Sequence, residues 1–347
     1  MTPPAAAAAS IPSSATPAGG VPLWELIDAS GLRALVMGTS KDPNAKVTIL
    51  LVSSTSRRPV LAAKAPTTDI AARAVEAEAA MLSGLRAIPA PLLLETIPRL
   101  VDVAELDGRP AVVMTALPGT PMTTSYLRWR HTASPHRVGA DFAAVGAWLA
   151  TLQRETAGEP VPVDMDGGAA QRLVARFADD QRLGADLDRL AAIHAALRRE
   201  SVPRTVVHGD LWVGNVLLTA GRVSGVVDWE AAAVAGEPLR DVVRFPLMYA
   251  LYLDRRTRAG RRVAGHPGLR ASGWGAGVEY ALDGDGWFPD LFRDFLRSGL
   301  ARLGASPALW RDAALAGIAE AAAFSDDQEF ARLQLELFRR VDGRAPH

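Results

Sequence analysis

One short loop carries side chains whose types and spacing could perform phosphoryl transfer. It runs from His208 to Asn215 with the sequence H-G-D-L-W-V-G-N, and a second carboxylate, Asp228, follows at the end of the next apolar stretch. Mg²⁺ prefers oxygen ligands, so the Asn215 amide and the Asp228 carboxylate are candidate metal ligands. The remaining carboxylate, Asp210, is the candidate base that would accept the proton of an attacking hydroxyl.

The flanks of this loop predict that it is held between strands. Apolar residues precede it at 206–207 and follow it at 216–218, and a polar turn at 219–222 leads to another apolar run. Such runs separated by turn residues predict a hairpin with Asp228 at its exit. In the structural alternative, Asp210 stabilises the loop and Asn215 caps a turn. His208 is expected to be structural.

A buried ion pair is predicted closer to the amino terminus. Lys64 directly follows an apolar run that predicts a strand, and residues 69–85 have the periodicity of an amphipathic helix. At about 100° per residue, Glu78 lies in the middle of the apolar face and Glu76 on the solvent side. A carboxylate in a buried face needs a cationic partner, and Lys64 is the candidate. Glu76 is the alternative if the helix register differs.

The elements around these residues predict an α+β protein of two lobes. Residues 21–117 contain the apolar strands and form the predicted amino-terminal lobe, and residues 118–347 are mainly helical and hold the catalytic loop. The Pro118-Gly119 pair at their junction predicts a hinge. Residues 1–20 consist almost wholly of Ala, Pro, Ser, Thr and Gly, which predicts a disordered tail.

Composition limits the expected partners and compartment. The chain has 347 residues, in which 38 basic side chains balance 38 acidic ones, and it has no cysteine. This balance gives no electrostatic case for a nucleic-acid or membrane-surface partner. The absence of cysteine excludes disulfides and thiolate catalysis. Because neither a secretory signal nor a membrane-spanning stretch is recognisable, the cytoplasm is the predicted location.

The loop H-G-D-L-W-V-G-N-V-L, followed by V-V-D-W-E and G-E-P-L-R-D, resembles the aminoglycoside phosphotransferase family over most of residues 22–250. The resemblance implies a bilobal protein-kinase-like fold with a small antiparallel-sheet lobe carrying one helix and a larger helical lobe. It implies ATP or GTP as donor, Mg²⁺, and a small-molecule hydroxyl as acceptor. It also implies that Asp210 is the base, that Asn215 and Asp228 bind the metal, and that Asp241 supports the loop.

The resemblance further implies how the nucleotide is held. Lys64 and Glu78 would position the phosphates, and the backbone at Met114 and Ala116 would meet the adenine edge. Ser40 lies in a segment, 35–44, that would cover the nucleotide but holds a single glycine. Its hydroxyl or the neighbouring backbone could still bind phosphate.

The motifs do not identify the acceptor. An aminoglycoside, an amino sugar, a sugar or a similar metabolite is equally compatible with them. The acidic stretches 274–290 and 325–329 are candidate linings of its pocket, although the first could instead be a solvated loop. A catalytically weak pseudokinase, acting as a nucleotide-binding or regulatory module, is the alternative that the glycine-poor segment raises. A metallohydrolase is a third hypothesis, but the other histidines form no convincing second pair of metal ligands.

Overall fold

The structure is a computed structural model that describes residues 21–39 and 44–342. The predicted tail, 1–20, and Ser40 lie outside these residues.

The strands are numbered in chain order: β1 (Arg33–Thr39), β2 (Lys46–Val52), β3 (Pro59–Pro66), β4 (Leu100–Leu106), β5 (Arg109–Thr115), β6 (Thr120–Pro121), β7 (Pro160–Pro162), β8 (Ser201–Pro203), β9 (Thr205–Val207), β10 (Val216–Thr219), β11 (Arg222–Val226) and β12 (Ala233–Gly236). The helices are α1 (Leu23–Ser30), α2 (Asp69–Leu85), α3 (Pro91–Leu94), α4 (Met122–Tyr126), α5 (Pro135–Glu155), α6 (Ala169–Phe177), α7 (Leu183–Leu197), α8 (Leu239–Leu251), α9 (Ala276–Asp283), α10 (Trp287–Arg302), α11 (Trp310–Phe324) and α12 (Gln328–Asp342).

The amino-terminal lobe is one antiparallel sheet with a helix beside it. Its strand order is β1-β2-β3-β5-β4, and Lys64 in β3 is paired with Thr48 of β2 and Val112 of β5. Helix α2 begins after Thr68, whose hydroxyl accepts the Ala71 N–H at 3.1 Å and so satisfies one of the free donors of the first turn. The helix spans the predicted residues 69–85 and packs against β3 and β5.

The carboxyl-terminal lobe is helical and has its own apolar core. The aromatic rings of Phe142, Phe245 and Tyr249 meet edge to face or tilted at centroid distances from 5.0 to 5.9 Å, which joins α5 to α8. Two small ladders, β9 with β12 and β10 with β11, bring the catalytic loop to the surface that faces the sheet. The predicted α+β fold, with a small antiparallel sheet and a larger helical part, is confirmed.

No helix within residues 21–39 and 44–342 is long and apolar enough to cross a membrane.

Candidate active site

A cleft of about 1020 Å³ lies between the lobes and is lined by residues from both of them. Lys64, Met114 and Ala116 line it from the sheet, and Asp210, Asn215 and Asp228 line it from the helical lobe; Glu78 lies buried directly behind Lys64. The structure therefore brings together all the predicted site residues that it describes.

The loop from His208 to Asn215 is held in place by hydrogen bonds between its backbone and neighbouring side chains. The buried Asp241 accepts the N–H groups of His208 and Gly209 at 2.7 and 2.9 Å. Burial raises the pKa of Asp241, although these two N–H groups oppose the rise. The His208 ring donates from Nε2 to the Val227 carbonyl at 2.8 Å and accepts the Asp210 N–H on Nδ1 at 3.2 Å, which assigns a neutral tautomer. His208 and Asp241 thus shape the loop from behind.

Two positions in the loop leave no room for a Cβ atom and therefore favour glycine. Gly209 has a φ of +80°, and a Cβ there would overlap the Ala231 carbonyl oxygen. A Cβ on Gly214 would overlap the indole of Trp212. At position 209 only glycine adopts this backbone without a clash, so the arginine of the kinase loop motif H-R-D-x-x-x-x-N would not fit there.

Asp210 is held in place through both carboxylate oxygens. Its Oδ1 lies 2.6 Å from the Arg244 guanidinium, and its Oδ2 accepts the Asn215 amide at 3.2 Å. The same amide donates to the Asp210 carbonyl at 2.9 Å, so the Asn215 side-chain oxygen points away from these contacts. That oxygen accepts no hydrogen bond from the described residues and is available to a cation or to water.

Lys64 joins the two lobes through two carboxylates. Its ammonium lies 2.7 and 2.6 Å from the two oxygens of Glu78, which is fully buried, and it also contacts Asp228. Burial opposes the charge on Lys64, but the two carboxylates outweigh burial and raise its pKa. Burial likewise opposes ionisation of Asp228, and Lys64 outweighs it and lowers that pKa. Glu76, the alternative partner, is exposed.

The amino-terminal edge of the cleft is closed by a second set of polar contacts. Asn44 donates to Glu230 at 2.9 Å, and the Lys46 ammonium contacts the same carboxylate. Glu230 is the last residue of the V-V-D-W-E motif, yet the sequence pattern assigned it no role. It ties the start of β2 to the segment that carries Asp228.

Next to the predicted hinge, the backbone N–H that is open to the cleft belongs to Leu117, one residue beyond the predicted Met114 and Ala116. The N–H groups of Thr115 and Ala116 are taken by the carbonyls of Arg99 and Val60 at 2.9 and 3.0 Å. The Leu117 N–H has no partner among the described residues, and Leu117 also lines the cleft. Met114 and Ala116 therefore line the cleft with their own N–H groups engaged elsewhere or held in the sheet, and Leu117 carries the free donor.

Arg240, Arg244 and Glu320 form the inner wall of the cleft on the helical side, and sequence reasoning missed them. Arg240 and Arg244 are four residues apart on α8, so they share a helix face. Arg240 lies 2.9 Å from Glu320 of α11, and burial raises the pKa of Glu320 to about 6, with Arg240 opposing the rise. Two arginines one turn apart in a helix whose other side chains, apart from Asp241, are mainly apolar were the available signal.

Of the two acidic stretches predicted to line an acceptor pocket, only one lines the cleft. Ser325, Asp326 and Asp327 do so, together with Phe330. Residues 274–290 do not, so that prediction was wrong. The reason is pairing: Glu279 lies 2.7 Å from Arg340, and Asp283 of the same helix lies 2.7 Å from Arg311.

The metal-binding potential of the cleft rests on few protein oxygens. No group of three or more His, Cys, Asp or Glu side chains in the described ranges could hold a metal ion by itself. The free Asn215 oxygen and the Asp228 carboxylate are hard donors, and two such protein ligands suit Mg²⁺, which takes its remaining ligands from phosphates and water. The donor set fits Mg²⁺ bound together with a nucleotide.

Comparison with known proteins gives the same architecture. Solved structures similar to this chain include aminoglycoside phosphotransferase APH(4)-Ia, with a TM-score of 0.55, 15% identity, and coverage of 93% of this chain and 98% of that one. Macrolide 2'-phosphotransferase MphH from Brachybacterium faecium matches with a TM-score of 0.51 and 17% identity, covering 94% and 100%. Aminoglycoside phosphotransferase APH(2'')-Ib matches with a TM-score of 0.51 and 13% identity, covering 91% and 97%.

At these identities the structural matches establish the fold. The family model described as the phosphotransferase enzyme family matches residues 48–276, which include the Lys64–Glu78 pair, the catalytic loop and Asp228. The chain therefore belongs to the phosphotransferase enzyme family and is a phosphotransferase.

Proposed function

We propose that this phosphotransferase moves the γ-phosphoryl group of ATP or GTP, with Mg²⁺, to a hydroxyl of a small molecule. The observation that carries the proposal is the convergence of Lys64, Asp210, Asn215 and Asp228 on one cleft, with Glu78 behind Lys64. An intact set of this kind supports an active enzyme over the pseudokinase alternative. A ternary complex of an APH(4)-Ia mutant with AMP-PNP and hygromycin B, and an ADP-bound APH(2'')-Ib, support a nucleotide donor.

In the proposed reaction the acceptor oxygen forms a bond to the γ-phosphorus, and the bond from that phosphorus to the β–γ bridging oxygen breaks. The nucleoside diphosphate leaves, and the acceptor proton passes to the Asp210 carboxylate. The Asn215 amide and the Arg244 guanidinium hold that carboxylate in one orientation. Lys64, kept charged by Glu78, would bind the α- and β-phosphates.

Asn215 and Asp228 are the proposed metal ligands. Bound Mg²⁺ would neutralise the phosphate oxygens during transfer. The Leu117 N–H is the proposed hydrogen-bond donor to the purine, since the N–H groups on its amino-terminal side are already paired. Ser40 stays a predicted phosphate contact outside the described residues.

We infer that the acceptor is a polyhydroxy compound that bears an amine. The cleft wall opposite the sheet combines the aromatic rings of Phe324 and Phe330 with the carboxylates of Asp326 and Asp327. Both arginines of this wall already have carboxylate partners. Arg244 is paired with Asp210, and Arg240 is paired with Glu320. Free carboxylates therefore exceed free cations there, which favours an ammonium group on the acceptor.

The test is nucleoside-diphosphate release by the full chain with ATP and with GTP, over a panel of aminoglycosides, amino sugars, neutral sugars and a macrolide. We expect release above the no-acceptor rate with amine-bearing acceptors and loss of that release when EDTA removes Mg²⁺. Asp210→Asn and Asp228→Asn should each reduce turnover by roughly a hundredfold or more. Asp188→Asn is the matched control, because Asp188 is exposed and does not line the cleft.

Nucleotide binding without transfer to any acceptor would support the pseudokinase instead. Turnover that Asp210→Asn leaves intact would refute the assignment of the base. Transfer to neutral sugars alone would leave the phosphotransfer proposal standing and overturn the inference about the amine.

A further inference from the structure

A group of exposed arginines lies on two neighbouring segments of the helical lobe, outside the cleft. Residues 127–133 follow α4, and residues 252–271 lie between the end of α8 and α9. The segments are joined, because Arg256 donates to the Leu127 carbonyl and a ring nitrogen of His266 lies 2.8 Å from the Thr132 carbonyl. We define the arginine surface as their exposed side chains Arg128, Trp129, Arg130, Arg255, Arg256, Arg258, Arg261, Arg262 and Arg270.

The positive charge of the arginine surface is uncompensated. None of its guanidiniums forms an ion pair with a carboxylate of the described residues, whereas Arg339 and Arg340 of α12 are paired with Asp186 and Glu279. The one acidic residue within the two segments, Asp254, is half-buried. A chain with a net charge of zero therefore concentrates positive charge on one face.

The arginine surface also carries a large apolar ring in water. Trp129 is 86% exposed and is flanked by Arg128 and Arg130, the second of which has a φ of +55°. An exposed indole of this kind is apolar area that a partner can bury. Indole rings favour the headgroup level of a bilayer, and one guanidinium group can bind two oxygens of a phosphate at once.

We propose that the arginine surface binds the anionic face of a lipid bilayer. Guanidinium groups near such a face are attracted to its anionic headgroups, and one apolar anchor together with a basic patch is a combination that gives reversible membrane binding. Single-stranded nucleic acid is less well matched, since proteins bind it with successive exposed aromatic platforms. Trp129 is the single exposed aromatic ring on residues 127–133 and 252–271.

The expectation that no membrane surface is bound rested on net charge, which averages over the whole molecule. The sequence signal was the run from Arg255 to Arg262, which contains five arginines and no acid. The arginine surface also adjoins the cleft: the Arg255 guanidinium lies 5.3 Å from the Tyr252 ring, and that ring is 6.0 Å from the Trp212 ring in the cleft. Bilayer binding would therefore hold the cleft close to the lipid headgroups.

The experiment measures co-flotation of the full chain with vesicles of phosphatidylcholine alone or mixed with phosphatidylglycerol. We expect binding to the mixed vesicles, little to the neutral ones, and weaker binding as salt rises. Trp129→Ala should weaken binding roughly tenfold. Joint replacement of Arg258, Arg261 and Arg262 by Glu should weaken it by roughly a hundredfold or more.

Matched variants control for composition and folding. Trp24→Ala removes a half-exposed tryptophan from α1, and joint replacement of Arg73, Arg86 and Arg222 by Glu makes the same charge change at exposed positions elsewhere. Both controls should keep wild-type binding, and thermal unfolding should show that every variant is folded. Because flotation needs neither nucleotide nor acceptor, its outcome is independent of the proposed phosphotransfer.

Equal binding to neutral and anionic vesicles, no binding to either, or equal loss in the control variants would each overturn the proposal. Binding to a short single-stranded RNA without binding to vesicles would overturn it in favour of a nucleic-acid partner.

Discussion

Replacing Glu320 by Gln is expected to change how the free energy of unfolding depends on pH. Burial beside Arg240 raises the pKa of Glu320 from 4.5 to about 6. One unit of pKa difference between the folded and unfolded states corresponds to about 1.4 kcal/mol. Ionisation of Glu320 therefore lowers the free energy of unfolding by about 2 kcal/mol. The side chain is 19% exposed, so water screens this cost little.

The sign follows from the direction of the shift. A carboxyl whose folded pKa is raised contributes stability that is complete below pH 4.5 and is lost as the pH rises through about 6. The unfolding free energy of the wild type minus that of Glu320→Gln should therefore fall by about 2 kcal/mol between pH 4 and pH 7. Urea unfolding followed by tryptophan fluorescence at steps across this range measures the difference. Effects of Gln that are independent of pH cancel from it.

Glu329→Gln is the control of opposite sign. The hydrogen bond from Arg332 lowers the pKa of Glu329, so the corresponding difference should rise with pH rather than fall. A flat difference for Glu320→Gln between pH 4 and pH 7 would refute the reasoning, since it would mean that Arg240 offsets burial in full. A rise in this difference with pH would mean that the effect of Arg240 on the pKa of Glu320 outweighs the effect of burial.

Three further substitutions test the parts that hold the cleft together. Glu78→Gln should lower the unfolding free energy by roughly 3 kcal/mol, because it leaves Lys64 partly unpaired, whereas Glu76→Gln on the exposed face should be neutral in the same urea titration. Gly209→Ala should abolish turnover through its clash with the Ala231 carbonyl, and Gly221→Ala, with a φ of +75° and open space around it, should cost only the about 1–2 kcal/mol of backbone strain. Asp241→Asn should reduce kcat by roughly a hundredfold with little change in nucleotide KM, measured by steady-state kinetics, because it loosens the loop and not the phosphate contacts.

The local features of the fold could be predicted because each depends on residues close in sequence. The periodicity of residues 69–85 determined the extent of α2, and the same periodicity placed Glu78 on its buried face. The loop motif determined which side chains meet, since its glycines and short spacing leave little freedom. The Lys64–Glu78 contact followed because a buried carboxylate needs a cation and few cations were near.

Contacts between residues distant in sequence could not be predicted in this way. Asp283 was a candidate pocket residue, but its partner Arg311 comes from another helix, and nothing local in either sequence identifies the pairing. Arg244 reaches Asp210 because α8 passes beneath the catalytic loop, which depends on the packing of the whole helical lobe. The arginine surface likewise arises from two segments far apart in the chain.

Asp228 links the helical lobe to the sheet and to α2. It is one of the few non-glycine residues with a positive φ in the described ranges, at +67°, a conformation that costs a residue with a Cβ about 1–2 kcal/mol. That conformation aims its carboxylate at Lys64 and lets the next N–H, of Trp229, donate to Glu78 at 3.1 Å. The strain is thus offset by contacts that α2 and β3 supply. Helix α2, the sheet and the candidate metal ligand are therefore positioned by one network, so a change in any of its charges should be felt in both lobes.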